Sequence, residues 1–209
     1  MNLLYYIKNI VEKNIYLKKL WDKFDSKLTL ILFYLIREGR FGDSDLNLKP
    51  KLDQYEVGFL KPSDIKTIAS HPEVECPEDI VRERLSNGCL CFGIKHKGNI
   101  TAYTWINLNK TESEFLFFPL KKNEVFLFDT RTFQAYRGKN LAPYLRYELY
   151  KQLEKLGRTN LISITSFFNV EAIKFKKKLK VKRQKLYLHV IFLKKYRLNI
   201  LLKSYKCTP

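Results

Sequence analysis

Six consecutive residues, Arg137-Gly138-Lys139-Asn140-Leu141-Ala142, have the types and spacing that binding a phosphate requires. Gly138 frees the backbone to turn, and Arg137 and Lys139 supply two cations. Leu141, Leu145, Leu149 and Leu153 then recur at helical spacing until Gly157. Upstream, residues 124–133 are apolar and β-branched enough to predict a strand. A basic, glycine-containing turn between strand and helix gathers backbone N–H groups at one point, with the positive end of the helix dipole behind them. The sequence therefore predicts an anion site near Gly138 and a phosphate-bearing small molecule to fill it. The amides of Gly138, Lys139, Asn140, Leu141 and Ala142 would be the donors, while Pro143 suits the first helical turn but gives no N–H.

Proton-transfer candidates are fewer. Asp129 and Glu124 share the predicted strand, where a carboxylate could accept a proton through water. Alternation puts positions 124 and 129 on opposite faces, so one at most faces a given cleft unless a bulge intervenes. His96 and His189 have suitable intrinsic pKa values but fall inside predicted strands, where packing is the simpler role. His71, before Pro72, is expected to be exposed. Cys76, Cys89, Cys91 and Cys207 lack metal-type spacing, and Cys89 and Cys91 would share one face of a strand. Free thiols and a reducing cytoplasm follow, and no metal site is expected.

The elements that must position these residues can be read from local pattern. Residues 1–37 carry apolar side chains at three- and four-residue steps with lysines between, which predicts one or two helices. They would pack on the rest of the chain or a partner subunit, or lie in a membrane interface. The turn-forming stretch 37–51 marks a boundary, giving a helical extension and linker over 1–50 and a main domain over 51–209. Within the main domain the pattern predicts a strand at 55–60 and helices starting at Pro62 and Pro77, the second ending at Asn87-Gly88. A hairpin follows across Lys97-Gly98-Asn99, and Phe115–Phe118 would extend or edge the same sheet. After the 137–142 turn and its helix come a strand at 160–165, a helix from Asn169, and strands at 185–193 and 197–203. No run approaches the roughly 20 apolar residues that span a bilayer; the nearest, Leu28–Ile36, is nine long. The first residues also lack the basic start and small-residue cleavage site of a signal peptide.

Charge narrows the partners. The chain carries a net +18, and residues 169–209 hold 13 Lys/Arg against one acid, Glu171. Such an end predicts an acidic partner: a phosphorylated small molecule, an acidic carrier protein, anionic lipid or nucleic acid.

A family comes into view at two motifs. Arg137-x-x-Asn140-x-Ala142 resembles the Arg/Gln-x-x-Gly-x-Gly/Ala signature of the GNAT N-acetyltransferases. Asn169-Val170-Glu171-Ala172-Ile173-Lys174-Phe175, followed by Lys178-Leu179, resembles that family's Asn-x-x-Ala helix after its fifth strand. The resemblance covers roughly residues 51–209. It implies an α/β fold, a GNAT-like mixed and mostly antiparallel sheet flanked by helices, here with an N-terminal helical extension. It also implies acetyl-CoA as acyl-donor substrate, with its pyrophosphate on the 137–142 loop. In the family the fourth strand splays from the fifth, and its free backbone pairs with the pantetheine arm. By position Thr130, Arg131 and Thr132 would do so here, one backbone N–H polarising the thioester carbonyl. Asn169 would contact the donor's arm or a water beside it.

Two positions depart from the pattern. Asn140 replaces the central glycine, and asparagine is among the residues that best tolerate positive φ. Lys176 replaces the tyrosine that in many members protonates the departing thiolate. Lys176 would supply that proton, or else belong to a solvated helix face with Lys174, Lys177, Lys178 and Lys180; Tyr147 and Tyr150 are alternative donors. The implied activity is cytoplasmic transfer of an acetyl group to a primary amine of a small acceptor. The basic C-terminal region favours an anionic acceptor such as an amino sugar. Two other readings stand beside it. One is acyl transfer from an acidic carrier protein, with residues 1–37 at a membrane surface. The other is a non-catalytic basic module for nucleic acid, which the strand-like spacing of Tyr187, Phe192 and Tyr196 disfavours.

Overall fold

The structure, a computed structural model, describes residues 28–40, 48, 50, 53–74, 76–113 and 115–205. The helices read in residues 1–27 and the thiol of Cys207 lie outside the described residues. The elements in chain order are β1 (Leu28–Glu38), β2 (Tyr55–Phe59), α1 (Pro62–Ala69), α2 (Glu78–Ser86), β3 (Leu90–His96) and β4 (Asn99–Asn107). There follow β5 (Lys110–Glu112), β6 (Phe117–Pro119), β7 (Glu124–Thr132), α3 (Leu141–Lys155), β8 (Asn160–Ser166), α4 (Val170–Lys178), β9 (Lys182–Phe192) and β10 (Tyr196–Ser204). The fold is mixed α/β, with a mostly antiparallel sheet flanked by helices.

The chain forms two compact units, the larger comprising Arg37–Ser163 and Phe175–Val181. In it β2, β3, β4 and β7 pair antiparallel in that order, and the first half of β8 pairs parallel to β7. Alternation along β4 builds two cores. Ala102 and Ile106 face α3, joining Val125, Leu127, Leu145, Leu149 and Leu153. Tyr103 and Trp105 face the other way, against Ile65 and Ile68 of α1 and Val81 of α2. Cys89 and Cys91 are buried thiols, not joined in a disulfide, and lie in this second core as their spacing predicts. Helix α1 begins at Pro62, where the Asp64 carboxylate accepts the Lys61 N–H at 3.0 Å.

The smaller unit holds 28–36, 164–174 and 182–205 among the described residues. Phe33 of β1 stacks on Tyr187 of β9 at 5.3 Å, and the Phe167 N–H donates to the Leu32 carbonyl at 2.9 Å. Strands β9 and β10 form an antiparallel hairpin.

Two expectations are corrected. Residues 28–37 are strand rather than helix. A continuous apolar run fits a buried strand as well as a helix, and the branched and aromatic residues Thr29, Ile31, Phe33, Tyr34 and Ile36 favour the extended form. Phe115–Phe118 does not edge the main sheet: Phe117–Pro119 pairs with Lys110–Glu112 as a separate two-stranded ribbon. Ser113 turns that ribbon through its hydroxyl, which accepts the Leu116 N–H at 2.9 Å and donates to the Leu116 carbonyl at 3.0 Å. No helix among the described residues is long and apolar enough to cross a membrane.

Candidate functional site

The site lies in the larger unit, where β7 turns into α3. Strand β7 ends at Thr132, a single 3-10 turn spans Gln134–Tyr136, and Arg137 is extended. Gly138 takes φ +77° and Asn140, the N-cap of α3, takes φ +63°. Asparagine thus adopts the left-handed conformation that its place in the motif demands. The first bond of α3 runs from the Tyr144 N–H to the Asn140 carbonyl at 3.4 Å. The amides of Leu141 and Ala142 precede that ladder and are presented as anion donors.

Cations surround this turn. Arg137 is 63% exposed; its Nε donates to the Thr132 carbonyl at 3.2 Å, and Glu73 lies 3.9 Å from its Nη2. Lys139 lies over the Tyr136 ring at 4.9 Å. Lys178 of α4 donates to Asn140 Oδ1 at 3.0 Å, adding a third positive charge. A turn of this charge and backbone geometry can hold a pyrophosphate.

The second part of the site is a bulge in β7. Tyr103 pairs with Arg131 and Trp105 with Phe128, so Asp129 and Thr130 together oppose Thr104 alone. Asp129 takes φ +43°, a strained value for a non-glycine residue. On the other edge, pairing with β8 runs only from Glu124/Asn160 to Leu127/Ser163. Beyond Leu127, β7 has no partner on that edge within the unit among the described residues. This is the free strand edge that Thr130, Arg131 and Thr132 are expected to offer.

The bulge is clamped from both sides of the sheet. From α2, Arg84 donates to the Asp129 carboxylate at 2.6 Å while lying 5.1 Å from the Trp105 ring centre. From α3, Arg146 donates through Nη2 to Thr130 Oγ1 at 2.7 Å. Thr130 Oγ1 lies 2.9 Å from Thr104 Oγ1, and the Thr104 hydroxyl donates to the Phe128 carbonyl at 3.2 Å. Since the Thr104 proton is used there, the Thr130 hydroxyl must donate to Thr104. The chain of donors is then directed from Arg146 to the carbonyl at the start of the bulge.

Arg146 is only 2% exposed, and Glu38 is fully buried beside it. Arg146 Nη1 is 3.9 Å from the Glu38 carboxylate, and Lys176 Nζ is 3.0 Å from it and 2.6 Å from Ser163 Oγ. The hydroxyls of Ser163 and Tyr150 also donate to Glu38. Burial alone would raise the Glu38 carboxyl, but Arg146, then Lys176 and the two hydroxyls, outweigh it and hold it at about 2. Burial lowers the Lys176 ammonium, with Glu38 opposing and Arg146 reinforcing the shift. Two cations thus share one carboxylate inside the protein.

The expected site residues separate clearly on this geometry. Thr130, Arg131, Thr132, Arg137, Gly138, Lys139, Asn140, Leu141 and Ala142 form one run through the bulge and turn. Arg131 donates to the Glu73 carbonyl, and the Glu73 carboxylate accepts the Gln134 N–H at 2.9 Å. Asp129 is at the bulge. Glu124 is not; it lies five residues back, roughly 16 Å along an extended chain. There its carboxylate accepts the Lys121 N–H and the Asn160 side-chain amide, each at 2.9 Å. Asn169 belongs to the smaller unit, where its Oδ1 caps α4 by accepting the Ala172 N–H at 2.9 Å. Lys176 is 4% exposed, which removes it from the solvated lysine face. Tyr150 is likewise buried on Glu38, burial and then that charge pushing its hydroxyl well up. His71 is not exposed but half-buried, stacked on Phe133 at 3.8 Å. His189 lies buried against Asn199 Oδ1 at 2.6 Å.

Glu38, Arg146 and Arg84 escaped the sequence reading. Arg146 does carry a signal, since it stands four and seven residues before Tyr150 and Leu153 on the apolar side of its helix. Glu38 closes an apolar run and carries none. A cavity of about 250 Å³ opens beside the turn, on the α1 side, lined by Ile68, His71, Glu73, Ile100, Phe133 and Tyr136 among others.

No protein-family model matches the sequence, and neither does any curated protein. Solved structures do match the fold. An acetyltransferase of the GNAT family from Colwellia psychrerythraea superposes with a TM-score of 0.52 at 16% identity, covering 85% of this chain and 61% of that one. A GCN5-related N-acetyltransferase-like protein from Streptococcus suis gives 0.53 at 15% identity, covering 84% and 66%. A functionally unknown conserved protein from Staphylococcus epidermidis gives 0.56 at 7% identity, covering 86% and 68%. The chain therefore spans about two thirds or less of the two GNAT-related proteins, and shares with them their architecture. With its bulged strand, free strand edge and basic turn before a helix, this chain has the GNAT fold.

Proposed function

We propose that the protein is an N-acetyltransferase that uses acetyl-CoA as donor and a primary amine as acceptor. The observation that carries this reading is the continuity of bulge, free β7 edge and left-handed Gly138–Asn140 turn over fourteen residues, 129–142. The turn, with Arg137, Lys139 and Lys178, binds the pyrophosphate. The β7 edge beyond Leu127 takes the pantetheine arm as an added strand, and a bulge N–H polarises the thioester carbonyl. The amine attacks that carbonyl directly; the C–N bond forms, the C–S bond breaks, the amine gives a proton to a base, and the thiolate takes one from solvent. Direct attack is favoured because Cys89 and Cys91 are buried, and burial with the nearby Asp129 charge pushes the Cys91 thiol up. Asp129 is the base we assign to the amine's proton. Glu124 sits too far away for that role, and Lys176, the expected proton donor to the thiolate, is committed to Glu38.

The acceptor's anionic character rests on the charge of the C-terminal region alone. The cavity beside the turn has aromatic walls with His71 and Glu73, which suits the amine end of an acceptor. Calorimetric titration with acetyl-CoA tests the proposal. The wild-type chain should bind at micromolar concentration and Arg137→Glu should bind at least tenfold more weakly. A folded wild-type protein that fails to bind overturns it. Asp129→Asn should bind acetyl-CoA normally yet lose about 10²–10⁴ in turnover.

A further inference from the structure

The β9–β10 hairpin has one apolar face that nothing among the described residues covers fully. Its register pairs Tyr196 with Phe192, Leu198 with Val190 and Ile200 with Leu188, and Leu186 continues the row. All seven side chains point to one side, because alternate residues of a strand share a face. Tyr196 and Leu198 are each 60% exposed and Ile200 41%, while the β9 members are half-buried. The opposite face is mixed, with Leu201 exposed beside packed side chains. There His189 is buried against Asn199, and Tyr187 is stacked on Phe33. A contiguous exposed apolar face of this kind marks an interaction site.

Charge selects the partner. Residues 182–205 contain seven Lys/Arg and no acid; Lys182 and Lys203 share the apolar face by register, whereas Arg183, Lys185 and Arg197 fall on the opposite one. Lys194 and Lys195 stand at the hairpin tip, and Lys203 opposite Leu186 borders the apolar row. A second copy of the chain would bring an equally basic face against this one. Nucleic acid would be served by the cations and by Tyr196 and Phe192 near the tip, but not by the aliphatic remainder of the row, Leu186, Leu188, Val190, Leu198 and Ile200, which offers no stacking rings. An anionic bilayer matches both features: aliphatic side chains enter the headgroup boundary while the lysines at the tip and edge of the face reach its phosphates.

We infer that the apolar face of the β9–β10 hairpin docks the protein on an anionic lipid surface. The inference does not depend on the acetyl-CoA reading. It is tested by sedimenting the full chain with phosphatidylcholine vesicles, with and without about 30% phosphatidylglycerol, at ionic strengths around and above physiological. Binding should need the anionic lipid and weaken roughly tenfold or more as salt rises through several times physiological. Leu198→Ser/Ile200→Ser changes two exposed side chains and should leave the thermal melt unchanged while cutting vesicle binding at least tenfold. Lys194→Glu/Lys195→Glu should do the same at low salt. Failure of the wild type to bind anionic vesicles overturns the inference. So does binding unchanged in both double variants, which would assign it to another surface. A dimer or an oligonucleotide complex that the Leu198→Ser/Ile200→Ser protein loses, without vesicle binding by the wild type, overturns it in favour of that partner.

Discussion

Glu38 holds two buried cations, so its loss should be costly. Glu38→Gln keeps the shape but leaves Arg146 and Lys176 facing a neutral amide, and it should destabilise the protein by about 3–5 kcal/mol in urea unfolding. Adding Lys176→Met should recover part of that loss, because one uncompensated charge goes with it. The pH dependence has a definite sign. A carboxyl held at about 2 against an ordinary 4.5 stabilises the fold above 4.5, and that contribution is lost as pH falls towards 2. The wild-type midpoint should therefore drop steeply between those values, and that of Glu38→Gln should drop less. Thr130→Val probes the other end of the same network. It removes the hydroxyl between Arg146 and Thr104 with little change in size, and should lower turnover while leaving acetyl-CoA affinity within about twofold. This residue-scale network was the least legible part of the sequence. Lys176 was visible only as a motif position among other lysines, and its partner Glu38 is 138 positions away in the chain. Only the folded sheet reveals that they meet.

At the scale of elements, the sequence was far more explicit. The turn at 137–142, the helix ending near Gly157 and the Lys97-Gly98 hairpin all follow from local residue chemistry, because each turn has a glycine or asparagine at positive φ. The conformation of the site loop can be tested directly. Gly138→Ala meets no atom within 4 Å, so its cost is that of an alanine at φ +77°, about 1–2 kcal/mol. Weaker acetyl-CoA binding, read by calorimetry, is the expected consequence. Asn140→Gly should be neutral or slightly favourable at φ +63° unless the Lys178 contact to Asn140 Oδ1 matters to the donor. β1 shows why other elements were misread. Its nine-residue apolar core has no periodicity to separate strand from helix, and its identity is fixed by partners β8 and β9 that no local window contains.

Across the whole molecule, the bulk properties narrowed the answer without deciding it. Net charge of +18 predicts an acidic partner, and the structure shows two groups of cations, one at the turn before α3 and one along the β9–β10 hairpin. Order of elements was readable from 55 onward, and it is the order, more than any one motif, that matches the GNAT-related structures. Phe33 is fully buried in β1, so Phe33→Ala should lower stability by about 3–5 kcal/mol.

The position of β1 also has a consequence for how the protein is made. Its apolar strand leaves the ribosome well before Phe167, whose N–H bonds Leu32, and Tyr187, which stacks on Phe33. At about 5–20 residues per second, more than 130 residues of synthesis leave β1 without its partners for roughly 7–27 s. During that interval it is an apolar nascent segment without those two partners. The larger unit, which lacks residues 28–36, can collapse on α3 meanwhile, leaving insertion of β1 as a late step and a natural point of engagement for a chaperone.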